Sequence, residues 1–281
     1  MYIGLSILMA VYKIFPEKDA FIWNEQQTQN TGRDEILEVS TYDDPSLVDN
    51  NLNEIPSATR ALVKFPTSQI NDVIQLIDSD GAAANFTASF QLFLANASKL
   101  PQTYTLQVNA VSQSWEMGTG RFADRPRTTN GVSWTYRFNS ASFVAWQTSS
   151  FQANVTSSDN DIQRGGGNWF ILPSSSQTFN YTSDKDTNFD VTQIVKYWHS
   201  HSVHGDLPEA FGNEGFIVRY TGSQEFNTAS IQQLSFFSMD THTIYPPTLE
   251  FKWPDYVFNP GTSPIVDNNA FITTIGNLQP E

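Results

Sequence analysis

The chain has 281 residues, no cysteine and a formal net charge of −14, from 15 Lys and Arg against 29 Asp and Glu. Hydrophobic residues make up 39% and charged residues only 16%, which excludes a disordered chain, a disulfide-stapled miniprotein and a cysteine-ligated zinc protein. The acidic balance repels a phosphate backbone, so no nucleic-acid partner is expected.

The opening run from Tyr2 to Tyr12 is apolar and uncharged. It is shorter than the roughly 20 residues that span a bilayer, and it lacks the basic start and small-residue cleavage site of a signal peptide. No other stretch is apolar enough to cross, so no membrane partner is expected. Residues 1–9 are an N-terminal extension or a first strand. Beyond them apolar residues recur mostly at period two, with turn-rich breaks. Strands are predicted at 36–39, 60–65, 86–95, 103–111, 133–138, 142–146, 215–220, 234–238 and 248–253. Two helices fit the other period. Val191, Ile194, Val195 and Trp198 stand at i, i+3, i+4 and i+7 behind a cap at Asp190. The segment 68–79 offers Ile70, Val73, Ile74 and Ile77, and is read as a helix or as a loop leading into a strand.

Strands at this spacing predict a mainly-β fold, a jelly-roll-like antiparallel β-sandwich with one or two short helices and an extended C-terminal arm. The sandwich spans 10–253. The arm, 254–281, holds four prolines yet keeps Tyr256, Phe258, Ile265, Phe271 and Ile275. A free arm rarely carries so many apolar groups, so it is expected to lie on a surface, its own or, preferably, a neighbour's.

Nine segments occur in an order that resembles the DNRLRE-type β-sandwich, a carbohydrate-binding-module-like fold of bacterial surface proteins. They are KDAFI at 18–22, NTGRDEILEV at 30–39, RALVKF at 60–65, SFQLFL at 89–94, SWEMGTG at 114–120, VSWTY at 132–136, FDVTQIVKYW at 189–198, EGFIVRY at 214–220 and PPTLEF at 246–251. The Ser-Arg-Glu signature of that family is replaced by Ser238-Met239-Asp240. The opening AVYKIFPEKDAFI and the following NTGRDEILEVSTYDD are also similar to virion structural proteins of contractile-tailed marine cyanophages. That resemblance implies a virion component of the neck, collar or tail, assembling with copies of itself and with other virion proteins.

Candidate chemistry is sparse. His199, His201 and His204 would fall in a loop if Trp198 ends the helix. Two imidazoles at i and i+2 of an extended segment share a face and suit a metal, and a solvated polar loop is the alternative. Asp34/Glu35, Asp43/Asp44 and Asp159/Asp161 lie in hydrophilic turns, where carboxylates are expected without catalysis. A calcium ion pinning a turn would best use Asp159 and Asp161, although the EF-hand pattern is incomplete. Gly165-Gly166-Gly167 lacks the Gly-Lys-Ser/Thr of a phosphate loop and is read as a flexible turn. No Gly-x-Ser-x-Gly elbow occurs. Trp115 and Trp169 are the loop tryptophans that would stack on a sugar, with core packing as the competing reading. No cofactor, metal or catalytic residue is predicted. The expected function is non-enzymatic virion assembly, and the alternative is recognition of a host-surface glycan during adsorption.

Overall fold

The computed structural model describes residues 8–42, 57–79, 85–101, 103–147, 154–157, 165–180, 182–205, 210–226 and 232–256. In chain order, β1 (Leu8–Ile14), β2 (Lys18–Trp23), β3 (Ile36–Tyr42) and β4 (Ser57–Lys64) precede α1 (Thr67–Ser79). β5 (Thr87–Gln91), β6 (Leu94–Ser98) and β7 (Thr103–Val111) come next, then the short β8 (Tyr136–Asn139), β9 (Phe143–Ala145) and β10 (Val155–Ser157). The long β11 (Asn168–Asn180) and the two-residue β12 (Phe189–Asp190) lead into α2 (Thr192–His204). β13 (Phe216–Tyr220), β14 (Gln232–Phe237) and β15 (Thr248–Tyr256) complete the set.

All strand pairs among the described residues are antiparallel. A four-stranded sheet runs β1-β15-β5-β12. A nine-stranded sheet runs β10-β11-β7-β13-β4-β3-β14-β6, with β2 paired to β4 as well, and β8-β9 form a separate ribbon. The chain thus forms the expected mainly-β, jelly-roll-like antiparallel sandwich with two helices. Period-two alternation sends Leu249, Phe251 and Trp253 of β15 inward with Ala88 and Phe90 of β5. They meet Ala61, Val63, Leu106, Val108, Phe216 and Val218 of the larger sheet in one core. Phe90 stacks on Phe216 at 4.8 Å between centroids, and Trp198 of α2 closes on Phe216 at 4.6 Å.

Both predicted helices are present, and Ile70, Val73, Ile74 and Ile77 of α1 are all buried, which settles that segment as a helix. The cap of α2 differs in detail. Val191 occupies the cap position, and Asp190 acts one residue earlier, its Oδ1 accepting from the amide and hydroxyl of Thr192 at 3.0 and 2.6 Å. The helix also runs past Trp198 to His204, so the three histidines are helical rather than extended.

The predicted strand at 86–95 is two strands in two sheets. β5 belongs to the small sheet and β6 to the large one, with Leu92 and Phe93 as the corner. Thr187 pins the corner by exchanging two hydrogen bonds with Leu92, through its amide and its hydroxyl. Every residue of β4 but Lys64 is buried, which identifies a strand covered on both faces. Its second face, and that of β7 and β13, is roofed by the long excursion after Val111. There Ala20, Ile22, Leu62, Val111 and Ile217 pack under Trp115, Trp134, Trp146 and Trp169.

The turn at Ser238-Met239-Asp240 is tied to β2 by a buried acid. Asp19 is 1% exposed, and its Oδ2 accepts from the Met239 amide at 2.7 Å. Burial pushes its carboxyl up from 3.8 to about 7, against that amide and Arg33 and reinforced by Asp240. The folded value lies above the ordinary one. The native state therefore holds a proton that the unfolded chain has already released between about pH 4 and 7. This contribution is fully present below that window and is lost as pH rises through it, by at most about 1.4 kcal/mol per pH unit. Asp19→Asn keeps an acceptor for Met239 and is expected to flatten that part of the slope. Urea midpoints across the window check this, and an unchanged slope would place the titration elsewhere.

Candidate functional site

Trp115 and Trp169 do not present ring faces to solvent: they are 2% and 6% exposed. Trp115 Nε1 donates to Glu214 O at 2.9 Å, and the Lys18 ammonium sits 4.3 Å above its ring. Trp169 belongs to β11, where the guanidinium carbons of Arg60 and Arg219 lie 5.0 and 4.7 Å from its ring centre. Both indoles already have their stacking partners inside the protein, which removes the free face that a sugar ring needs.

Arg60 is the centre of this layer. It is fully buried, with its guanidinium also 4.8 Å from the Trp134 ring. Its Nε donates to Glu225 Oε1 at 2.6 Å, and its Nη1 donates to the Gly166 carbonyl. Glu225 also faces Arg219 at 3.6 Å. The glycine triplet is therefore an ordered lid. Gly166 has φ +74°, and a Cβ there would lie 2.6 Å from Arg60 Nη1 and 2.7 Å from Trp134. Only glycine lets the backbone come this close in the left-handed region.

An open cleft of about 490 Å³ lies beside Trp115, lined by Lys18, Glu116, Met117, Phe138, Ser140, Ala141 and Ser142. Burial, with Lys64 nearby, lowers the Lys18 ammonium from 10.5 to about 8. Its Nζ donates to the Trp115 carbonyl. Glu116, the only acid among the described residues lining the cleft, accepts from Ser140 Oγ at 2.7 Å. Among the described residues the cleft does not bring together the paired carboxylates of glycoside hydrolysis.

The other sequence candidates are dispersed. On α2, residues two apart point to opposite sides, so His199 and His201 do not share a face. His199 Nδ1 lies 2.9 Å from Asn71 Oδ1 and links α2 to α1. Burial lowers its pKa, more than Asp78 raises it. Among the described residues no group of three or more His, Asp or Glu is arranged to hold a metal. Asp34 stays in a turn, its Oδ2 accepting from the Phe122 amide at 2.7 Å. Asp43, Asp44, Asp159 and Asp161 lie outside the described residues.

An exposed apolar surface lies on β1, away from the candidate chemistry. β1 is an end strand of the small sheet, and no described strand pairs with its outer edge. Ile14 lies in the core and Ala10 packs against it. Met9 and Val11 point the other way, 53% and 50% exposed, while Tyr12 and Phe15 are 47% and 53% exposed. Lys13, the charge in this row, lies 3.4 Å from Glu250, which also holds Lys252 at 2.6 Å. Burial pushes the Glu250 carboxyl up, but the two lysines outweigh it and hold it below its ordinary value. The register slips once, between Leu8 and Met9, and from Met9 to Ile14 the strand runs regularly with its one lysine ion-paired, so this stretch of the edge stays apolar. The signal was in the apolar run Tyr2 to Tyr12, but the edge position depends on pairing with β15, at the other end of the chain.

Of the predicted arm, Pro254 and Tyr256 continue β15, pairing with Met9 and Leu8. Phe258, Ile265, Phe271 and Ile275 lie outside the described residues. No family model matches this sequence, and no curated protein matches it.

Proposed function

We propose that this chain is a non-enzymatic structural protein that works by assembly, as a component of a virion neck, collar or tail. The observation that carries the assembly reading is the apolar edge of β1, with which no strand among the described residues pairs. Such an edge is an aggregation hazard for a solitary protein and a docking site for one that assembles. The virion setting rests on the ordered resemblance of the nine segments and on the polar, low-charge composition. The net charge of −14 suits a subunit that stays soluble before assembly and leaves packaged nucleic acid to other proteins.

Two measurements test this. Mass spectrometry of purified phage particles encoding the chain is expected to find it among the structural proteins in stoichiometric amount, and its absence overturns the virion reading. Light scattering of the full chain is expected to give a multiple of the monomer mass. Val11→Lys places a charge on the exposed row without touching the core. It is expected to return the protein to monomer with its melting temperature within about 2 °C of the parent. A Val11→Lys protein that keeps the parental mass places the interface elsewhere.

A further inference from the structure

The β1 edge has an occupant within this chain's own sequence. Tyr256 pairs with Leu8, so β15 ends beside the first residue of β1. Among the residues that follow, 270–275 reads Ala-Phe-Ile-Thr-Thr-Ile. It is uncharged, proline-free and rich in β-branched side chains, the pattern of a strand that pairs readily. Its chemistry matches the edge, where the lysine is ion-paired with Glu250.

The spacer is long enough to reach a second copy. A strand on the outer edge of its own β1 would lie two strand spacings, about 10 Å, from β15, which three or four residues cross. Thirteen residues, 257–269, stand between β15 and the segment. Extended, they reach about 45 Å, and Pro260 and Pro264 among them disfavour a ladder of their own. Resting on the assembly reading, we propose that residues 270–275 of one copy add as a strand to the outer edge of β1 in a second copy. Backbone hydrogen bonds along β1 would supply affinity, and Phe271 and Ile275, which share one face of a strand, would cover the exposed apolar row, with Ile272 on the opposite face.

The absence of cysteine makes the test free of background. Val11→Cys and Ile275→Cys are made as separate full-length proteins, mixed, and treated with a short bis-maleimide. The expected product is a covalent dimer of one copy of each. It should be lost when Thr273→Pro is added to the Ile275→Cys chain, because proline removes a ladder donor. It should also be lost when Thr129→Cys, on an exposed loop, replaces Val11→Cys. Cross-linking only within a single chain carrying both cysteines overturns the proposal in favour of docking on the same copy. No cross-link from a protein that light scattering finds multimeric overturns it and leaves the assembly reading standing. No cross-link from a monomeric protein ends both.

Discussion

Glu225→Leu is expected to destabilise the protein by about 3–5 kcal/mol. The reason is the company this carboxylate keeps. Glu225 is 4% exposed and is the shared counter-charge of Arg60 and Arg219. Arg60 has no access to water, and its ring contacts with Trp134 and Trp169 make up only part of the hydration it has lost. Removing the carboxylate leaves two guanidinium groups facing each other under a tryptophan roof. Each buried charge without its partner costs several kcal/mol. In a chain of this length the loss should lower the melting temperature by about 10 °C. Arg60→Met with Glu225→Leu removes the main pair together, and is expected to recover a substantial part of the loss. Urea denaturation of the parent, the single and the double variant forms the cycle that checks this. A single-variant loss under about 1 kcal/mol would mean that water already reaches Arg60.

Asn30→Asp is expected to cost about 2–4 kcal/mol near neutral pH, and less at pH 4. Asn30 is fully buried and uses both ends of its amide. Nδ2 donates to Met117 O at 2.7 Å and to Val132 O at 2.8 Å. Oδ1 accepts from the amides of Gly32 and Gly120 at 3.2 and 2.7 Å. One side chain therefore ties the turn after β2 to both ends of the loop that carries Trp115. A carboxylate keeps the two acceptor contacts but sets negative charge against two carbonyl oxygens. Protonation at low pH restores one donor, which gives the pH dependence. Gly118 supports the same knot: at φ +79° its missing Cβ would stand 2.2 Å from Asn130 O. Chemical denaturation at both pH values is the measurement, and a loss independent of pH would show that the carboxylate does not face those carbonyls.

This knot shows how unevenly the structure was legible. Asn30-Thr31-Gly32 read as a turn, which it is, but nothing local announces that its amide reaches residues about ninety positions away. The periodic segments read well. β7 matches its predicted 103–111, and both helices display the apolar spacing that buries them. β11 was missed. Its Pro173 and three serines look like a linker, and its register slips between Trp169 and Ser174. The ladder with β7 holds it as a strand all the same. The split of 86–95 was hidden because both halves alternate with the same period, and only the corner at Leu92 and Phe93 assigns them to different sheets.

The candidate site divides the same way. Composition and periodicity by themselves determined a mainly-β chain with an apolar beginning and an apolar end, because hydrophobic patterning is a local property. Whether an aromatic ring faces solvent or a buried arginine is a property of what packs against it. Trp115 and Trp169 were therefore decided by residues far away in sequence. The same holds for β1, whose strand is written in its own residues but whose status as an open edge exists only once β15 has closed the other side.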